Sequence, residues 1–71
     1  ENQKEQRRLA RRLEQLEAQI EDLDSQISQL QEAMQATNDA SKLMESQQQI
    51  DQLTAAQEEA LLEWEELAEK V

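Results

Sequence analysis

The side chains able to do chemistry in this 71-residue chain are seventeen carboxylates and seven cations. There is no His, no Cys and no Tyr, so the residues that most often serve as acid, base, nucleophile or soft metal ligand near neutral pH are missing. Paired carboxylates can share acid and base work only inside a pocket that separates their pKa values, and a solvated helix face offers none. Glu21, Asp22 and Asp24 could be imagined around calcium, but no turn-forming loop accompanies them. There is no glycine at all, hence no phosphate-cradling G-x-x-x-x-G-K-[ST] loop. The expectation is a non-enzymatic chain with no catalytic, cofactor-binding or metal-binding residue.

The cations are the more informative set. Five of the seven, Lys4, Arg7, Arg8, Arg11 and Arg12, fall in the first twelve residues against Glu1 and Glu5, while the remainder holds two cations and fifteen carboxylates. The overall charge of −10 therefore hides a short basic start on an acidic body. A polyanion would be attracted only to that start. Like charges stand four apart there (Lys4 and Arg8, Arg7 and Arg11, Arg8 and Arg12), and cations near a helix N-terminus oppose its dipole. Helix stability alone does not select such an arrangement. Two readings stand side by side: solubilising charge, or a patch for phosphates. With no interleaved aromatics, contact with a nucleic acid would be weak, salt-dependent and indifferent to sequence.

These residues have to be carried by helices. Gly and Pro are absent, which removes the usual hairpin turns, and Ala, Leu, Glu, Gln, Lys and Arg dominate. Leu9, Leu13, Leu16, Ile20, Leu23, Ile27, Leu30 and Met34 recur at alternating spacings of four and three, with Leu at every d position of the heptad. Lys4 and Arg11 then sit at f, Arg7 at b, Arg8 at c, and only Arg12, at g, beside the seam. A second segment repeats Leu43, Ile50, Gln57, Trp64 and Val71, with Leu53, Ala60 or Leu61, and Leu67 or Ala68 between them, and with Ser46 or Gln47 and Gln57 as polar seam positions. The phase of the first seam, continued from Met34, would give Ser41, Gln48 and Ala55, so the register resets in between.

QATNDASK, residues 35–42, supplies the break. Asn38 is the best substitute for Gly in a left-handed helix end, and Asp39 or Asn38 can cap the next helix. A connection so short makes the helices antiparallel neighbours, whereas a skip within one continuous rod would also shift the phase. The sequence thus predicts an all-α, antiparallel two-helix coiled-coil hairpin spanning 1–71, with helix one at about 3–36, the turn at about 37–40 and helix two at about 41–70. In that hairpin Ile27 faces Ile50, Leu16 faces Ala60 or Leu61, and Gln57 faces Ile20. Trp64 falls beside Leu13 and near Arg12, whose acceptors would be Glu65 or Glu66. The expected anchors of the open end are Arg12, Leu13, Trp64 and Leu67, with an Arg12–Trp64 cation–π contact adding about 0.5–1 kcal/mol. No apolar run approaches the roughly 20 residues of a membrane span, and no signal-peptide pattern is present. The opening ENQKEQRRLARR reads as mid-helix, so the chain is expected to be a segment of a larger protein.

The strings EQRRLARRLEQLEAQIEDLDSQISQLQEAM and TNDASKLMESQQQIDQLTAAQEEALLEWEELAEKV, with their paired L-E steps, N-D…K-L-M turn and W-E-E-L ending (Trp64 to Leu67), resemble the C-terminal domain of ABC-F family ATPases. The resemblance covers nearly the whole chain. It implies an antiparallel coiled-coil appendage of a cytoplasmic bacterial protein whose two nucleotide-binding cassettes, with ATP and Mg, lie outside this sequence. Members act on ribosomes in translation or antibiotic resistance, and in one branch this domain is described as DNA-binding. Ala40 stands where many relatives carry an aromatic residue, and the net negative charge departs from a simple nucleic-acid binder. The expected function is an accessory interaction module contacting ribosomal RNA, tRNA or DNA through Lys4, Arg7, Arg8 and Arg11, monomeric when isolated and without a membrane part. The alternative is a structural coiled coil that assembles proteins by dimerisation.

Overall fold

The computed structural model describes residues 2–71, Glu1 lying outside the described residues and the side chain of Asn2 with it. Two helices account for nearly all of it: α1 (Asn2–Gln35) and α2 (Ala40–Lys70), of 34 and 31 residues. At 1.5 Å per residue α1 alone is about 51 Å long, and one continuous rod would exceed 100 Å. The longest dimension is 57 Å, with cross-sections of 14 and 12 Å, so the chain doubles back on itself. The architecture is the all-α antiparallel hairpin that the phase reset predicts.

Every apolar seam position of α1 is buried or half-buried and the positions between them are exposed. Leu16, Leu23 and Ile27 are the most covered, facing Ile50 and Ala60 of α2. The pairing of a large Leu16 with a small Ala60 in the same layer produces the tightest point, Leu16 being 2% exposed. Where the second seam was ambiguous, packing resolves it: Ser46 is half-buried and Gln47 exposed, and Ala60 is buried while Leu61 stays 41% exposed. Leu67 and Ala68 are both half-buried, the first on the seam and the second on its flank. Val71, which extends the heptad arithmetically, is 59% exposed, because it follows the last helical residue and the layer opposite it is the thin basic start of α1. The accessible surface, 5833 Å², exceeds the roughly 4,600 Å² expected of a compact 8.3 kDa globule. A two-layer rod has one seam and no second face to cover.

The reversal is built without a left-handed residue. No described residue has a positive φ, so Asn38 does not play the glycine-like role expected of it. That conformation costs about 1–2 kcal/mol for a residue with a Cβ, and the chain has a cheaper exit. The Ala36 amide bridges the carbonyls of Glu32 and Ala33 at 3.2 Å each, and the Thr37 amide reaches Met34 at 3.5 Å, tightening the last turn of α1. The Thr37 hydroxyl then accepts from the Asp39 amide at 3.2 Å. Asp39, at φ −79° and ψ 114°, caps α2: its carboxylate accepts from the Ser41 amide at 2.9 Å and its carbonyl from the Leu43 amide at 3.0 Å. The helix limits differ by one residue from those read from the sequence, as frayed ends do.

Two expectations follow. Leu16→Ala should lose about 2–5 kcal/mol in urea unfolding followed by circular dichroism, whereas Leu62→Ala, at a position 61% exposed, should stay within about 0.5 kcal/mol of the parent. Asp39→Ala should cost about 0.5–2 kcal/mol, and Asp39→Asn much less, since the amide oxygen still caps.

Candidate functional site

The seam fixes two flanks. In an antiparallel pair the e positions of the two helices face each other on one side and the g positions on the other. On the g side Arg12 donates through Nε to Oε2 of Glu63 at 2.5 Å, the ion pair across the hairpin among the described residues, and its Nη1 reaches Oε1 of Gln15 at 3.4 Å. The acceptor is therefore Glu63 and not Glu65 or Glu66. With Ala60 at d, Glu63 occupies g, opposite Arg12, while Glu65 and Glu66 fall at b and c and face away. Hydrogen bonding to Glu63 first, and its charge second, raise the pKa of Arg12, against a small opposing effect of desolvation. A raised value in the folded state means that this contribution is complete at neutral pH and is lost on the alkaline side only in strong alkali.

Trp64 turns to the other flank. Helical side chains lean toward their own N-terminus, and because α2 runs against α1, that lean carries the indole away from Leu13 and toward higher numbers on α1. Its Nε1 donates to Oε1 of Glu17 at 3.2 Å, and the ring shares an open groove with Ile20, Glu21 and Leu61. The expected cation–π contact with Arg12 is thereby replaced: the arginine is engaged on the g side and the ring sits on the e side. Trp64, Leu13 and Leu67 are all half-buried at the open end. Gln57, the polar member of the seam, reaches the Ile20 carbonyl with its Nε2 at 3.4 Å, a long bond that places the two where the fold-back puts them.

Lys4, Arg7, Arg8 and Arg11 are exposed on the first turns of α1 and line a single shallow groove. Among the described residues none of the four has a carboxylate within 4.0 Å. The end of α2 adds Lys70, which lies with Glu5, Arg8 and Leu9 around a neighbouring hollow. The acidic residues of α2 that share this end do not neutralise the cations, because Glu65, Glu66 and Glu69 occupy b, c and f. The described residues contain no cluster of three or more acids arranged to hold a metal ion; Asp22, one of the carboxylates considered for calcium, accepts from Nε2 of Gln26 at 2.8 Å. No helix among them is long and apolar enough to cross a membrane.

The described residues form an antiparallel helical hairpin with one seam and a cluster of exposed cations at its open end. Residues 4–69 match the family model described as the ABC transporter C-terminal domain, and the chain belongs to that family. It is thus an accessory domain of an ABC protein and distinct from a nucleotide-binding cassette. No curated protein and no solved structure matches it.

Replacing Arg12 by Gln should lower the melting temperature at low ionic strength. The difference should shrink toward zero near 1 M salt, where the screening length is about 3 Å. It should not change between pH 6 and pH 9, a range of about three units far below where the arginine titrates.

Proposed function

We propose that this domain belongs to an ABC-F ATPase and serves as its contact arm for a structured nucleic acid, ribosomal RNA, tRNA or DNA, through Lys4, Arg7, Arg8 and Arg11. The observation that carries the reading is the cluster itself: four exposed cations around one groove, none with a carboxylate partner among the described residues. Their mutual repulsion disfavours the isolated helix. A line of phosphates would reverse that penalty. The N-D…K-L-M turn and the W-E-E-L ending support the ABC-F branch. The rest of the hairpin acts as a stiff spacer of about 50 Å, and its acidic body keeps the nucleic acid at the tip. ATP and Mg belong to the cassettes of the parent protein, which would work in the cytoplasm. The isolated domain is a monomer, because its one continuous seam is filled within the chain.

Binding to duplex RNA, tRNA and duplex DNA should be measured by gel shift and anisotropy between about 50 and 200 mM salt. Four phosphate contacts give a slope of about −3 to −4 in log K against log salt, a fall of about a hundredfold across that range. Changing all four residues to Gln should abolish binding and raise the melting temperature slightly. Absence of binding at the lowest salt, or binding untouched by the four substitutions, overturns the reading.

A further inference from the structure

The two flanks of the hairpin differ in charge, and the difference is not required by the fold. The g flank mixes signs and amides: Arg12 pairs with Glu63, and Gln26, Gln29, Gln49 and Gln52 surround Leu30 and Leu53. Beyond Arg7 the e flank is of one sign. Glu14, Glu17, Glu21 and Asp24 follow one another along α1 at e and b, and Glu58 and Glu65 bracket Leu61 on α2. All six are exposed, and none makes an ion pair among the described residues. No Lys or Arg occupies an e or b position of α1 beyond Arg7, nor any in α2. Carboxylates three and four apart on one helix repel, so the hairpin carries this row at a cost to itself.

In the middle of the row lies an apolar patch. Ile20, Leu61 and the face of Trp64 form an open groove of about 260 Å³ walled by Glu17 and Glu21. Leu61 is 41% and the adjacent Leu62 61% exposed, although the seam had a place for only Ala60 at this level. Single exposed leucines are ordinary. An exposed leucine beside the chain's one aromatic ring, within a row of unpaired acids, is a combination with a defined complement.

We propose that this flank is a docking surface for a basic amphipathic segment of a protein. One apolar side chain of that segment would enter the Ile20–Leu61–Trp64 groove, and its Lys or Arg side chains would reach the carboxylates on either side. The charge row selects the partner: a nucleic acid is repelled by six carboxylates, and a second copy packed flank to flank would bring the same six against them. The indole, already oriented by its bond to Glu17, gives a floor against which an aliphatic or guanidinium group can stack. The surface is independent of the basic tip, and binding there stands or falls separately from contact with phosphates.

Trp64 is the only aromatic residue, so its emission reports on the groove directly. The 71-residue chain is titrated at low salt with an amphipathic Leu/Lys peptide lacking aromatics, and in parallel with oligolysine. A saturable one-to-one blue shift with the Leu/Lys peptide, and a far weaker response to oligolysine, is the expected result. Leu61→Ser, at an exposed site that leaves the helical signal intact, should weaken that binding about tenfold. Glu17→Gln with Glu21→Gln, which keeps an acceptor for the indole, should weaken it about three- to tenfold and flatten its salt dependence. No emission change at the lowest salt overturns the proposal, as does an equal response to oligolysine. A shift that grows with protein concentration in the absence of peptide assigns the face to a second copy and overturns it as well.

Discussion

Burial of one apolar seam between antiparallel helices is the constraint from which the remaining features follow. Neither helix can shield its stripe from water alone, and an isolated helix gains too little from propensity to order itself. Once Leu16, Leu23 and Ile27 are covered by α2, every other position is assigned a direction. Arg12 must face Glu63, Trp64 must lean toward Glu17, and Lys4, Arg7, Arg8 and Arg11 must point to solvent.

The same constraint explains why the domain can be so polarised. A globular protein of ordinary size distributes its charges around a core that is thick in all directions. Here the core is a single line of side chains, and the surface is large for the mass. Most side chains are therefore free of packing duties and available for contact. Membership of the ABC transporter C-terminal domain family fits a chain of this kind, whose helices project long open surfaces.

Stability and contact are in tension along this rod. Polar Gln57 in the seam, repulsive cations at one tip and repulsive carboxylates on one flank all weaken the hairpin, while the Asp39 cap and the Arg12–Glu63 bridge support its two ends. Elements that weaken a structure without shaping it are where contact with other molecules is to be sought. The two charged regions meet that description; the g flank, where both signs and amides alternate, does not.

The sequence by itself determined two helical stripes and the break between them, because a three-four repeat marks one face of a helix and a broken phase marks where it is interrupted; that the chain doubles back there, and does not continue as one rod, the tertiary structure decided. It also made the basic tip visible, since five cations in twelve residues need no structure to be noticed. It did not determine how the turn is made, where an ordinary tightened helix end and Asp39 displaced the expected left-handed Asn38. Nor did it decide which of two adjacent residues, Ala60 or Leu61, enters the seam, because hydrophobicity favours the leucine and only the space beside Leu16 favours the alanine. From that choice came the partner of Arg12, the flank taken by Trp64 and the exposure of Leu61. Tertiary structure decided them because heptad letters fix a position on a helix, while the tilt of a side chain and the volume opposite it exist only once two helices meet.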